Sequence, residues 1–480
     1  MIIRSVLRTS SILFTLFLLA SCSDSAVSPV QSDTTGTDTA AQTEALELYT
    51  LPEHDFGGEA VNIICTDYPT CASLVAEETG DVLDDAKYHM KRTVEEAFNV
   101  TITEDTSTGH WDMNTHLNAL IMSGDTTFDI VSMMDRFALT SAMQNLFLPI
   151  QDLPELNLDA VYWGEFSDAL KINGEQYFSA TSSNLVSFRR SACILMNNRL
   201  ATEYDLTVPY DAVRDGTWTW DKLMEVRGMA TKDLNGDGIF DENDQFTYDS
   251  TDVREYPLQV WVASDLKFLS TDTNGTFVVS VYDNEKFIDV FKRAQELLFA
   301  GENDVSFGSS TESNTFGTDL FGKGHALYAF AQLMNLEGTR SMEDDFSILP
   351  MPKYDEAQEN YRSLTHDLQF FCVPITQEDI SLSAAVMDAL SCVGYYDLLP
   401  VYTETVLKDK FSRDMDSKEM LQLIYDTRTF EASEMYLYDQ FGRQFVYTNI
   451  LEKNLSLVTV LEKQEKRINS RLNDIMEAFE

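Results

Sequence analysis

Short β-branched runs alternate with amphipathic helical stretches between Ala60 and Leu146, and this alternation constrains the fold more than any other feature of the chain. Ala60–Cys65 reads as an apolar strand, Val100–Thr103 as a second and Phe128–Ser132 as a third. Between them, Asp84–Phe98 places Ala86, Met90, Val94 and Phe98 on one helical face, and Met113–Met122 does the same with Met113, Leu117, Leu120 and Ile121. A third helix is expected near Ala138–Leu146. This β-α-β-α-β-α order predicts an α/β fold with a parallel sheet under covering helices, and ligand sites beyond the carboxyl ends of the strands.

A second unit is expected from about residue 186. Its strands fall at Ala192–Met196, His325–Phe330 and Phe346–Leu349, and Thr219 is placed to cap a helix in which Trp218 and Trp220 pack. Lys286–Ala300 is amphipathic, and near the C-terminus Val460, Leu461, Ile468, Leu472, Ile475, Met476 and Phe479 space one apolar stripe.

The 480 residues carry 79 Asp and Glu against 34 Lys and Arg, a formal charge of −45. Such a chain repels phosphate backbones, and with no basic stripe to offset this, nucleic-acid binding is excluded. A local Arg can still hold one carboxylate. Hydrophobic residues make up 44% and aromatics 11%, enough to fill large cores.

Residues 1–21 read as a secretion signal, with Arg4 and Arg8 before an apolar run, Ile12–Leu19, too short to span a bilayer. The run closes on Leu19-Ala20-Ser21-Cys22, which resembles the bacterial lipobox and makes Cys22 the expected lipidation site. Residues 22–50 are rich in Ser, Thr, Asp and Gln and read as a flexible tether. The expected location is the extracellular face of a bacterial membrane, held by lipid. The other five cysteines are too few and odd in number for a disulfide framework, and Cys65, Cys193 and Cys372 lie in apolar runs as buried small hydrophobes. A Cys65–Cys71 bridge stays open.

Asp233, Asn235, Asp237, Ile239, Asp241 and Asp244 match the oxygen-donor positions of a twelve-residue calcium loop, with Gly238 at the turn and the Ile239 carbonyl as a ligand. A structural calcium ion is one reading; an ion-free acidic turn is the other. Asp244 is shorter than the usual Glu, which weakens bidentate reach. None of the six His falls in a zinc-protease pattern, and no nucleophile elbow, phosphate loop or dinucleotide fingerprint occurs. No catalytic residue and no catalytic cofactor is expected.

Four segments then carry a resemblance. They are Phe128–Phe137 followed by Leu146–Ile150; Ile194–Asn198 followed by Leu206, Pro209 and Thr219–Asp221; Phe321–Tyr328; and Ile348–Pro352. Each is loose alone, but their order is similar to that in the carbohydrate-type, maltose-binding-protein-like extracellular solute-binding proteins of ABC importers. The resemblance implies a two-lobed periplasmic-binding-protein-like fold with hinge crossings, lobe one over 55–185 and 313–372 and lobe two over 186–312 and 373–480. It also implies a monomer that closes on a sugar or oligosaccharide and an ABC permease as partner. Asp135 matches the family's sugar-binding Asp, with Arg136 beside it to fix its carboxylate or donate to the ligand. Tyr256 and Trp261 match the region supplying second-lobe aromatics. Tyr68 lies in the loop after the first strand, and Phe330 and Gln332 occupy a strand end where relatives place a Trp. A cell-surface carbohydrate-active enzyme and an adhesion or scaffold module are the alternative readings.

Overall fold

The computed structural model describes residues 49–480 apart from 67–73, 75–76, 164–165, 251, 273–275, 283, 299–319, 340–341 and 409–414. The signal segment, Cys22, nearly all of the tether, Tyr68 and Cys71 lie outside the described residues.

The first three strands form as the alternation predicts: β1 (Glu59–Thr66), β2 (Val100–Thr108) and β3 (Ile130–Met134). In β1, Val61, Ile63, Ile64 and Cys65 are all fully buried, because helices cover both faces of the sheet. Helix α1 (Val82–Phe98) starts where the Asp81 carboxylate accepts from the Leu83 and Asp84 amides. It ends on Asn99 in the left-handed region (φ 52°), and it buries Met90, Val94 and Phe98. Helix α2 (Met113–Met122) has the expected limits, and α3 starts at Asp135 and ends at Ala142, earlier than expected.

The chain then adds β4 (Ser179–Ala180), β5 (Ala192–Asn197) and β6 (Phe246–Ser250), a small antiparallel hairpin of β7 (Leu269–Thr271) with β8 (Phe277–Val279), β9 (Ala326–Gln332), β10 (Phe346–Leu349), β11 (Ser363–Thr365), β12 (Gln369–Cys372) and β13 (Arg428–Phe430). One sheet runs β2-β1-β3-β12-β4 and the other β10-β5-β9-β6. The first is parallel through β2, β1 and β3, but β12 and β4 join it antiparallel. In the second, β5 is antiparallel to both neighbours, and β6 is parallel to β9.

Pairing moves the expected lobe limits. β9 and β10 belong to the sheet of β5 and β6, so 326–349 sits with the second sheet and not the first. The helix Ile380–Val393 packs on α1, so this segment sits with the first sheet and not the second. Two crossings between the sheets are clear: 181–191, from β4 to β5, and 350–368, from β10 to β12. On the second crossing, β11 pairs parallel with β13.

From Ile380 to Glu404 the helix is long and apolar enough to span a bilayer, but 72% of its most apolar window is buried inside the molecule, which makes it a core helix. It passes hard against the first crossing at Gly394, where a β-carbon would come within 2.8 Å of the Ser182 and Ser183 backbone. Thr219 caps its helix by accepting from the Lys222 amide, and both neighbouring tryptophans are buried, as expected. The last helix, Leu457–Ala478, buries the predicted stripe as far as Ile475, while Met476 and Phe479 are half-buried at its end. Cys65, Cys193, Cys372 and Cys392 are all buried, the last three as free thiols.

Candidate functional site

Asp135 stands where β3 ends and α3 begins, and only 1% of it is exposed. One carboxylate oxygen accepts from the Arg136 amide at 2.7 Å and the other from the Leu368 amide at 3.2 Å. The Asp135 amide donates back to the Leu368 carbonyl at 2.8 Å. Burial and the nearby Asp367 charge push its pKa up to about 6, against the opposing pull of Arg136. Asp135 therefore fastens α3 to the second crossing instead of offering its carboxylate to a ligand, a correction to the role expected of it.

Arg136 points the other way. Its Nη1 donates to Asp367 at 3.0 Å, and its guanidinium lies over the rings of Tyr438 (4.5 Å), Phe137 (5.0 Å) and Trp111 (5.5 Å). These side chains line a pocket of about 240 Å³. Trp111, in the loop between β2 and α2, and Arg136, Phe137 and Thr140, on α3, come from the side of the first sheet. Met435, Tyr436, Tyr438, Asp439, Gln440 and Arg471 come from the C-terminal helices. Those helices pack on the segment between β6 and β9: the Tyr436 ring lies 4.9 Å from Phe277, and Phe441 stacks on Phe268 at 4.0 Å. Trp111 is 67% exposed and meets Phe137 edge-on at 5.6 Å, so the pocket mouth is an aromatic platform.

Behind the pocket wall lies a buried charge network. Asp367 accepts from Arg136, accepts from Arg443 Nη2 at 2.7 Å, and lies 3.5 Å from Arg190 Nη1. Burial alone would raise the Asp367 pKa, but Arg443, His366 and Arg190 hold it well below the usual carboxylate range. Asp367 also takes a left-handed backbone (φ 50°), a strained position on the crossing for a residue other than Gly. His366 is fully buried, with Nε2 3.3 Å from Glu255 and Nδ1 3.4 Å from Asp367. Burial pulls its pKa down, yet Glu255 and Asp367 outweigh burial and Arg443 together, and it is pushed up to about 9. Arg443 Nη1, which can only donate, sits 2.7 Å from Nδ1 and 2.9 Å from Glu434, so it shares that edge of the ring with Asp367. Four carboxylates (Asp135, Glu255, Asp367, Glu434) thus face three guanidiniums and one imidazolium.

Of the ligand residues expected from sequence, Arg136 alone lines the pocket. Gln332 joins the network, 2.8 Å from His366 Nε2 and 3.5 Å from Arg190. Tyr256, Trp261 and Phe330 are fully buried, and this corrects their expected place in a cleft. Trp261 packs against Phe287, Phe291 and Phe441, while Tyr256 meets Phe330 edge-on at 4.8 Å and donates to the Ala294 carbonyl. Tyr68 lies outside the described residues.

The 233–244 loop lends the calcium reading no support in this structure. Oxygens sharing one Ca²⁺ at roughly 2.3–2.6 Å lie within about 5 Å of one another. Among the described residues, the one group of three acidic or His ligands with all its ligand atoms within 4.8 Å is Glu255, His366 and Asp367, not the 233–244 loop. The loop's oxygens turn to its own amides. Asp233 accepts from Gly236 and Gly238, Asn235 from Asp237, Asp237 from Ile239, and Asp244 from Leu234 and Asp241. At Glu255, His366 and Asp367 the guanidiniums of Arg190 and Arg443 already supply the positive charge.

Two mixed sheets joined by crossings, with a pocket between their flanking helices, define a two-lobed binding-protein fold, that of the maltodextrin-type solute-binding proteins. The maltose/maltodextrin-binding domain MalE of Bdellovibrio bacteriovorus bound to maltotriose superposes with a TM-score of 0.54 at 13% identity, over 86% of this chain and 100% of that one. An ABC substrate-binding protein of Listeria monocytogenes in complex with cycloalternan gives 0.55 at 12%, over 87% and 99%. UgpB of Mycobacterium tuberculosis with glycerophosphocholine gives 0.54 at 13%, over 86% and 98%. No family model matches the chain, and no curated protein matches it by sequence.

Proposed function

We propose that this chain is an extracellular solute-binding protein that captures a carbohydrate between its lobes, without turnover, and delivers it to an ABC permease. The observation that carries this reading is the pocket itself: rings of Trp111, Phe137 and Tyr438 around Arg136, with Asp439, Gln440 and Thr140 beside them. Sugars present C–H faces that stack on aromatics and hydroxyls that bond to polar groups, and the pocket supplies both. At about 240 Å³ it falls below the roughly 300–1,000 Å³ of sites for drug-sized ligands, so it takes a short saccharide or the end of a longer one. The structural neighbours bound to maltotriose and cycloalternan support a sugar, and the one bound to glycerophosphocholine makes a polar non-sugar the second candidate.

Because the pocket draws its walls from both lobes, a ligand touching both shifts the population toward the closed form the permease reads. Cys22, lipidated, holds the monomer at the extracellular face of the bacterial membrane with 22–50 as its tether. The test is a thermal-shift screen of the purified protein, unfolded and refolded to strip bound ligand, against mono- and oligosaccharides, amino acids and glycerophosphodiesters. Stabilisation by several degrees with one sugar class and no product formed is the expected result. Stabilisation by amino acids or glycerophosphodiesters alone would retain the fold and remove the sugar.

A further inference from the structure

Most arginines of this acid-rich chain sit against a carboxylate: Arg136, Arg189, Arg199, Arg214, Arg293 and Arg443 each make an ion pair. With 79 acidic residues to 34 basic ones, pairing is the ordinary fate of a guanidinium here. Arg471 departs from it. It lines the pocket from the last helix, half-buried, and its Nε donates to the Tyr436 carbonyl at 3.3 Å. Among the described residues no carboxylate lies within 4.0 Å of it. Asp439 shares the pocket and Asp474 lies on the same helix, and both favour its charge, but burial outweighs them and holds its pKa below the ordinary guanidinium value. Arg136, the other guanidinium of the pocket, is already spent on Asp367.

A half-buried guanidinium that lines a pocket, bonded through Nε to one neutral carbonyl and paired with no carboxylate, keeps its terminal nitrogens available to a ligand. We infer that the ligand carries an anionic group, the carboxylate of a uronic acid or the phosphate of a sugar phosphate, and that Arg471 is the residue that reads it while the ring stacks on the Trp111 and Tyr438 side of the pocket. This deepens the sugar reading and rests on it. A planar guanidinium forks onto either anion through two parallel N–H donors, whereas a Lys would meet it as a point charge. The overall charge of −45 opposes approach of such a ligand, so discrimination resides in the bound state and not in steering.

The test is calorimetric titration of the purified protein with glucuronic- and galacturonic-acid-terminated di- and trisaccharides, with their carboxyl-reduced neutral counterparts, and with hexose phosphates beside the free hexoses. The same series is run on Arg471→Gln and Arg471→Lys. The wild type should favour one acidic member over its neutral counterpart by at least about tenfold. Arg471→Gln should bring the two to near equality by weakening the acid alone, and Arg471→Lys should recover part of the preference. Which acidic arm binds separates carboxylate from phosphate. Equal affinity for acid and neutral in the wild type would overturn the inference and leave the sugar reading standing. A preference that survives Arg471→Gln, or a variant that merely melts earlier with the preference intact, would give Arg471 a purely structural role and also overturn it. Binding of no saccharide at all would overturn both.

Discussion

At the residue scale, His366 ties the crossing to its surroundings. It faces Glu255 from the helix beginning at Tyr256, Gln332 from β9, Asp367 beside it, and Arg443 from the C-terminal helices. Its folded pKa of about 9 is above the ordinary value of 6.5, so protonation favours the folded chain. That contribution is complete below pH 6.5 and is lost as pH rises through 9. The melting temperature of the wild type should therefore fall across this window more steeply than that of His366→Gln, measured by circular dichroism in the same buffers. Parallel profiles would mean that the imidazole does not titrate there. Asp135 and Trp111 show how differently single residues can be read. Asp135 was legible as a position, because an Asp opening a helix after a buried strand marks the strand's carboxyl end; that both its oxygens would be spent on amides of 136 and 368 depends on a contact more than 200 residues away in sequence. Trp111 could have been found: in Gly-His-Trp-Asp after β2 no apolar residue stands beside it in the chain, and it lies in a loop at the ligand edge of the sheet.

At the scale of elements, β1, β2 and β3 with α1 and α2 were readable from period alone, since each buries one apolar set. The helix Tyr256–Ala263 was not so readable. All eight of its residues are buried, so its sequence carries no exposed face to separate core aromatics from cleft aromatics, and Tyr256 and Trp261 fell on the wrong side. Sheet membership of β9 and β10 was likewise hidden, because pairing with β5 and β6 is long-range and leaves no local signature. The first crossing depends on Gly394. Its added β-carbon would meet backbone atoms of Ser182 and Ser183 at 2.8 Å, and backbone cannot swing aside as a side-chain tip can. Beside it the Thr181 and Ser391 hydroxyls bond at 2.7 Å, fixing helix to crossing. Gly394→Ala should cost about 1–3 kcal/mol in denaturant unfolding. An unchanged midpoint would show that the helix and the crossing move apart freely.

At the scale of the whole molecule, two sheets with opposing helices place an aromatic pocket between chain segments over 300 residues apart, Trp111 and Tyr438 among them. The central claim is that this pocket binds the ligand. Five tryptophans report on it unequally: Trp163, Trp218, Trp220 and Trp261 are buried, and Trp111 alone is exposed. The most direct measurement is a titration of intrinsic tryptophan fluorescence with the saccharide that stabilises the protein, in the wild type and in Trp111→Phe. The wild type should show a saturable change that Trp111→Phe loses or greatly reduces, with weaker binding by calorimetry. A change of full amplitude in Trp111→Phe, with unaltered affinity, would place the ligand elsewhere and contradict it.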